Sequence, residues 1–386
     1  MFEAGASRID ITPLSRVFLA GFSPNRLSEG VHDNLFISAV AVRLGGSHIV
    51  LASIDLLGLF KEFLDPVRMK AARDHGLRPE EIIFCCTHTH SGPDTLGLWG
   101  PNEYTTGVDD EYMGWLSCQL AEAVDRAVKN MVRVKAKHSW TLVNPRGIVK
   151  NSRSPGLVDR YLSTVRFCDE IGCTVATVVN FACHPEVLVN ENKLVSSDYV
   201  HYLRLRLEDE IGGITVFLNG PLGGMLTPEV KARSFEEAER VGGELAGWVF
   251  DSLRYEREIG EERIWLARRE FSLPVENQKF IAASERGVLK RPLANGQVIT
   301  EVSLARIGEV TLATIPGEAL PRVGMEVRGM LDGHCKVVAG LGNDEIGYII
   351  SADNWTPGKY EESMSLGPRT APMIEEELRD LLLQEA

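Results

Sequence analysis

Apolar residues along this chain recur with two different periods. Residues 35–43, 48–57, 82–87, 135–142, 162–168, 174–181 and 214–218 read as strands, because β-branched and aliphatic residues dominate short runs bounded by turn formers. Between them lie stretches with helical spacing: Glu62 to His75, Glu111 to Asn130, Asp198 to Glu210 and Phe235 to Arg254. In Glu111 to Asn130 the residues Trp115, Leu116, Leu120, Val124 and Val128 fall near one helical face. A β-rich stretch runs from about 262 to 316, followed by a helix near 319–330, a strand at 335–340 and a charged helix from Ala371. This order predicts an α/β fold of mixed β-sheets flanked by helices, in a single domain spanning 1–386. There is no repeat and no linker-like composition; the polar, irregular segment 274–298 reads as an excursion or a lid.

The composition narrows the function classes. The 386 residues are 44% hydrophobic and 25% charged, ordinary globular values that predict a sizeable core. The net charge of -13, with no block of Lys or Arg, argues against a nucleic-acid partner. The N-terminal residues lack the basic and apolar regions of a signal peptide, and no stretch is long and apolar enough to span a bilayer, so a cytoplasmic protein without stable membrane association is expected. The seven cysteines contain no Cys-x-x-Cys pair and are expected as reduced thiols.

Candidate chemistry sits where the apolar strands stop. Ile82-Ile83-Phe84 runs into Cys85-Cys86-Thr87-His88-Thr89-His90-Ser91-Gly92-Pro93. In an extended strand, residues two apart face the same way, so His88 and His90 are expected side by side at the strand end, an arrangement suited to a metal or to catalysis. His184 ends a second apolar run at Pro185, Glu318 follows the Pro316-Gly317 turn, and Tyr348 closes the Gly340–Gly347 segment. Each residue alone also has a structural reading: a satisfied core histidine, a helix-start carboxylate, a bonded core tyrosine. Their recurrence at strand-end loops favours a catalytic site there. Asp10, Asp33, Asp55 and Asp198 stay open between structural and supporting roles, with Asp198 either orienting a histidine or capping a helix. His32, His75, His138 and His334 read as surface or structural residues.

These pieces resemble the catalytic domain of the neutral ceramidase family. The resemblance rests on Asp10-Ile11-Thr12-Pro13 with Gly21-Phe22, Gly30-Val31-His32-Asp33, Ser53-Ile54-Asp55, Thr87 to Pro93, His184, Pro316-Gly317-Glu318, Asn343 to Tyr348, and Tyr360-Glu361 with Leu366-Gly367-Pro368, all in collinear order. It implies a single Zn2+ held by His88, His184, Glu318 and Tyr348, although His and Glu ligands also suit other divalent transition metals. It further implies that His90 binds the substrate carbonyl, that Arg146, beside Asn144-Pro145, assists it, and that Tyr360 faces the substrate. The implied reaction is hydrolysis of an amide C–N bond by metal-activated water attacking a carbonyl polarised by zinc, His90 and Arg146. Two departures stand out: where the family carries an aspartate and an essential serine, this chain has Met225 and Thr227. Threonine keeps a hydroxyl; methionine keeps neither charge nor strong hydrogen bonding. The family's C-terminal β-sandwich and secretion signal are also expected to be lacking. The expected substrate is therefore a small soluble or N-acylated amide, with an ester or lactone hydrolase, or a catalytically silent metal- or ligand-binding protein, as the alternatives.

Overall fold

The computed structural model describes residues 1–260 and 263–385. Residue 262, where the expected β-rich stretch begins, lies outside them. Eight strands build the large mixed sheet: β1 (Phe2–Asp10), β2 (Phe36–Leu44), β3 (Ser47–Ile54), β4 (Ile82–Cys86), β5 (Val132–Leu142), β6 (Tyr161–Asp169), β7 (Thr174–Phe181) and β8 (Ile214–Asn219). Their spatial order is β8-β7-β6-β5-β1-β2-β3-β4, with the short strand Arg257–Glu258 added against β5. The inner pairs are antiparallel, and only the two outer pairs, β3 with β4 and β7 with β8, are parallel. Each parallel pair needs a crossover. Helix α1 (Lys61–His75) supplies one and α3 (Tyr199–Ile211) the other.

A second sheet, β9 (Ile264–Pro274), β10 (Gln297–Ile307), β11 (Val310–Thr314) and β12 (Cys335–Ala339), covers one face of the first. Leu51, Phe167, Val178 and Val216 of the large sheet meet Ala305, Leu312 and Val337 of the small one in one buried cluster. On the opposite face, α1 and α2 (Asp110–Lys129) cover the first half, and α3 and α4 (Phe235–Leu253) cover the second. The helix at Pro321–Met330 and the last one, Thr370–Glu385, pack outside the small sheet. The expected α/β fold of mixed sheets flanked by helices is thus the observed one.

Local sequence explains the boundaries. Asp109 caps α2 by accepting from the backbone N–H of Glu111 and Tyr112, while Arg126 and Lys129 occupy its last turn. Leu116, Leu120, Ala123, Val124 and Ala127 form its buried stripe; Trp115, expected on that face, is partly exposed instead. The strand β1 went unread because Gly5, Ser7 and Arg8 break its apolar pattern. Gly5 is required there, since a Cβ would stand 2.3 Å from the Ala127 carbonyl of α2. Segment 274–298 carries a helix, Gln278–Glu285, whose Phe280 turns inward.

The two outer edges of the large sheet approach each other. Ser53 Oγ on β3 donates to the Phe217 carbonyl on β8 at 2.6 Å, and Asn219 Nδ2 donates to Thr87 O at 2.8 Å. Arg204 of α3 clasps Asp55, just past β3, through two bonds of 3.0 and 2.7 Å, and both side chains are buried. Asp55 thereby resolves as structural. So do Asp10, which accepts from Thr12 N, and Asp33, which accepts from the backbone and hydroxyl of Ser197. Breaking a buried pair from one side leaves an uncompensated charge, so Arg204→Ala should cost about 3–5 kcal/mol of unfolding free energy in urea titrations. A loss under about 1 kcal/mol would show that the pair does not hold the seam.

Candidate metal centre

The strand β4 stops at Cys86, and residues 87–90 are loop rather than extended strand. His88 takes a left-handed backbone with φ 70°, which costs a non-glycine residue on the order of 1–3 kcal/mol. The expectation that strand alternation aligns the two histidines is thus corrected: a sharp turn at His88 brings the rings together. The Thr87 and His88 amides bond to the Ile54 and Leu56 carbonyls, and the Asn219 side chain holds the Thr87 carbonyl. His184 arrives from the end of β7 on the other half of the sheet, its ring centroid 5.1 Å from that of His88 and 5.6 Å from that of His90. One ring nitrogen from each of the three histidines lies within 4.8 Å of the others.

Two of these rings are anchored from behind. His88 Nδ1 bonds the Leu57 carbonyl at 2.7 Å, and His184 Nδ1 bonds the Leu226 carbonyl at 3.1 Å. With Nδ1–H donated outward, each Nε2 lone pair points inward. There it meets Glu318 Oε2, 3.1 Å from His184 Nε2 and 3.5 Å from His88 Nε2. Glu318 and Tyr348 are opposed in a short parallel pairing that projects both toward the pocket. Burial works to raise the Glu318 carboxyl, but the two imidazoles outweigh it and hold the group well below its usual range. Burial, followed by Glu318, pushes the Tyr348 hydroxyl up. A buried set of two Nε2 lone pairs, a carboxylate and a phenol fits a divalent transition metal such as zinc.

His90 differs. Neither of its ring nitrogens has a hydrogen-bond partner, although both are buried. Nδ1 lies 3.7 Å from Glu186 Oε2, and burial, reinforced by His88 and His184, holds its pKa well below the usual value. A neutral imidazole with free nitrogens can bond a substrate oxygen. Its place depends on Gly21, where a Cβ would stand 2.4 Å from His90 Nδ1. Phe22 packs at 4.8 Å from the ring, and the Arg26 guanidinium bonds the His90 carbonyl.

Thr227 sits on a short strand, Leu226–Pro228, paired with Val149–Asn151. It is buried beside the carbonyl that orients His184, outside the pocket lining. Met225, with φ 54°, places its sulfur 3.9 Å from the Tyr348 hydroxyl, which donates to it. Tyr360 lines the pocket at the head of a one-turn helix, its ring 5.9 Å from Tyr348. Arg146 is not brought to the site: it is exposed, and its backbone N–H bonds the Asn144 side chain. Arg153, seven residues on, is partly buried and grips Glu361 at 2.7 Å, Glu362 at 2.6 Å and the Asn354 carbonyl at 2.8 Å. It fixes the segment carrying Tyr360. The Asn151-Ser152-Arg153 run, with the same Asn-x-Arg spacing as Asn144-Pro145-Arg146, was the available signal.

Asp198 caps α3 at 2.7 Å and also accepts from the Val187 and Leu188 amides at 3.2 and 2.9 Å. Its carboxyl, pushed up to about 7 by burial, therefore braces the loop after His184 rather than any histidine ring. Glu345 lines the pocket as well; burial and then Glu318 push its carboxyl well above the usual range. The pocket beyond the histidines is apolar, walled by Leu57, Phe60, Leu96, Phe280, Leu289 and Ile346. His32, stacked on Phe235, His75, paired with Asp125, buried His138 and exposed His334 all lie away from this centre, and all seven cysteines are free.

Fold and site together define a ceramidase-like α/β domain with a histidine–carboxylate pocket. No family model matches the chain. In sequence it is similar to the neutral ceramidase of Drosophila melanogaster, at 24% identity over 229 residues, 54% of this chain and 32% of that protein. It is also similar to the neutral ceramidase of Pseudomonas aeruginosa, at 23% identity over 297 residues, 65% of this chain and 43% of that protein. The aligned stretches thus span less than half the length of these curated relatives. The crystal structure of neutral ceramidase from Pseudomonas aeruginosa superposes with a TM-score of 0.83 at 16% identity, covering 99% of this chain and 75% of that one. A ceramidase complexed with C2 gives a TM-score of 0.84 at 16% identity, covering 100% and 75%. The likeness to neutral ceramidases read from the motifs therefore holds in sequence, and the fold is theirs. No helix among the described residues is long and apolar enough to cross a membrane.

Elemental analysis of the purified protein should find about one zinc per chain. His88→Ala and His184→Ala should each remove most of it, whereas His90→Ala should keep it. Metal retained in both of the first two variants would refute this centre; metal lost with His90 would mean that the roles of the two loop histidines are exchanged.

Proposed function

We propose that this protein is a metal-dependent hydrolase, zinc being the preferred metal, that cleaves the amide bond of an N-acylated small molecule with an apolar limb. In this reading His88, His184, Glu318 and Tyr348 hold the metal, and residues 1–386 act as one catalytic domain. The observation that carries it is the juxtaposition of a buried His-His-Glu set with an apolar pocket, in a fold shared with neutral ceramidases. When bound, the metal would supply Lewis acidity toward water and the substrate carbonyl. His90, neutral and unpartnered, would bond the oxygen on which negative charge develops. Tyr360, at the pocket mouth and half-exposed, would contact the departing limb. The apolar walls would exclude water around the acyl group and so strengthen these contacts. Such a lining suits a hydrocarbon limb better than a strongly polar one. A cytoplasmic setting is proposed from the seven free thiols, two of them exposed.

A second reading, a protein that binds metal and ligand without turnover, draws on Met225 at the Tyr348 hydroxyl, where the resemblance leads one to expect an aspartate. The zinc-loaded protein decides between them when offered a series of N-acyl amines. Burying four further methylenes on going from N-acetyl to N-hexanoyl should be worth about 3 kcal/mol, or roughly 200-fold in kcat/KM. Zinc binding with no turnover of amides, esters or lactones would leave the second reading.

Gly21→Ala should keep the metal and lower kcat by about a hundredfold, because the added Cβ displaces the His90 ring. Unchanged kcat in a folded, metal-loaded variant would remove His90 from the reaction.

A further inference from the structure

On one face of β5, Val134 and Ala136 belong to the buried cluster between the two sheets. Strand alternation puts His138, Trp140 and Leu142 on the same face further along. There the cleft opens. All three line a groove of about 850 Å³ bounded by β5, β6, β12 and the helix Pro321–Met330. That is room for a small molecule. The groove shares no lining residue with the pocket at the candidate metal centre.

Two features mark its chemistry. The first is an aromatic stack. Trp140 lies on Tyr161, with ring centroids 5.2 Å apart and planes 12° from parallel, and the Arg328 guanidinium lies 4.7 Å from the Tyr161 centroid. Two bonds to Asp159, of 2.7 and 2.6 Å, fix Arg328 in turn. Trp140 is 46% exposed, so a further planar group can join this stack. Leu142, Tyr255 and Met325 beside it are exposed too, and apolar side chains gathered in one concave place mark a binding surface.

The second feature is charge. The lining carries Arg160, Arg257, Arg328 and Lys336 against one acid, Asp159. With Asp159 paired to Arg328, three cations remain, in a chain whose net charge is -13. Arg160 Nε and Lys336 Nζ bond main-chain oxygens, Val143 O at 2.7 Å and Arg328 O at 3.3 Å, which leaves their charge uncancelled. Arg257 is exposed and has no side-chain partner among the described residues. His138, opposite it in the strand pairing, is buried with Nδ1 unpartnered. Glu309, the acid that acts on His138, lies outside the lining and accepts from the Gly260 amide at 3.0 Å.

We propose that this groove binds a small molecule that joins a planar aromatic ring to an anionic group, the ring stacking on Trp140 and the anion meeting Arg257 and its neighbouring cations. The site is separate from the proposed hydrolase centre and stands whether or not that centre turns over. A cationic ligand would be repelled by the three uncancelled charges, and a flexible hydrocarbon chain could not use the stack.

Calorimetric titration of the full chain tests it with four probes: naphthalene-2-sulfonate, its neutral counterpart methyl 2-naphthyl sulfone, methanesulfonate and octane-1-sulfonate. Naphthalene-2-sulfonate should bind at one site per chain, about tenfold or more tighter than each of the others. Trp140→Ala should raise its Kd about tenfold and Trp140→Phe by less. Arg257→Ala should raise it about threefold, weaken its dependence on salt and leave the neutral sulfone unaffected. Because Arg257 is exposed, that variant stays folded even where Trp140→Ala does not. Equal affinity for the sulfone would show that charge is not read, and equal affinity for octane-1-sulfonate that the ring is not. Binding unchanged in both Trp140→Ala and Arg257→Ala would place the ligand elsewhere, the metal-centre pocket included. Any of these results, or no binding of naphthalene-2-sulfonate at millimolar concentration, overturns the proposal.

Discussion

Everything at the candidate metal centre depends on the meeting of two edges of one sheet. His88 belongs to the loop beyond β4 at one margin, and His184 follows β7 near the other. Far apart in the sheet order, they stand 5.1 Å apart because the margins close on each other. Asn219 is the residue through which closure becomes site geometry. Its amide nitrogen serves the Thr87 and Cys183 carbonyls at 2.8 and 2.9 Å, the residues immediately before the two histidines. Its oxygen accepts from the Cys183 amide at 3.2 Å. A side chain in the middle of β8 or β4 could not reach both loops. The Asp55–Arg204 pair fastens the same seam from the helical side.

The second sheet locks the remaining proposed ligands to that seam. Asn180 on β7 donates to the Val338 carbonyl at 3.0 Å and accepts from its amide at 3.2 Å, so the two sheets are joined by hydrogen bonds as well as by packing. The chain then turns through Leu341 and Asn343, both with positive φ, before reaching Glu345 and Tyr348. With His88, Asp198 and Met225, five of the seven non-glycine residues with positive φ among the described residues lie in the loops that carry the site residues or brace those loops, so the backbone strain is concentrated where the side chains must converge. Such conformations persist only when their surroundings over-determine them, which the reciprocal bonds of Asn180, Asn219 and Asn343 do.

Much of this was legible in the sequence, for identifiable reasons. Strand-end histidines and the Pro-Gly-Glu turn announced themselves because a polar residue that ends an apolar run must face either solvent or a site. The elements were legible where periodicity was strong, as in α2, and were lost in β1, where Gly5 and Ser7 are small because α2 lies against them. What periodicity could not give was convergence. It could not tell that Arg153 rather than Arg146 turns inward, since both lie in irregular polar segments and only the acids at 361 and 362 distinguish them. Nor could it expose that Glu345 would be buried with one oxygen unpartnered.

The position of Met225 bears on whether this centre works or has decayed. A thioether is a weak acceptor, so the 3.9 Å contact with Met225 adds little hold on the Tyr348 hydroxyl. A carboxylate at 225 would have bonded that hydroxyl firmly and added negative charge beside Glu318. Glu186 and Glu345 are both buried here: one is 3.7 Å from His90, the other is in the pocket wall. Burying a carboxyl is costly, and a site released from function would have no constraint opposing its replacement by apolar residues of similar size. Two buried acids beside an intact His-His-Glu set, with Gly21 still clearing space for His90, keep buried carboxyl groups at a site where position 225 carries none. That distribution favours turnover over silence.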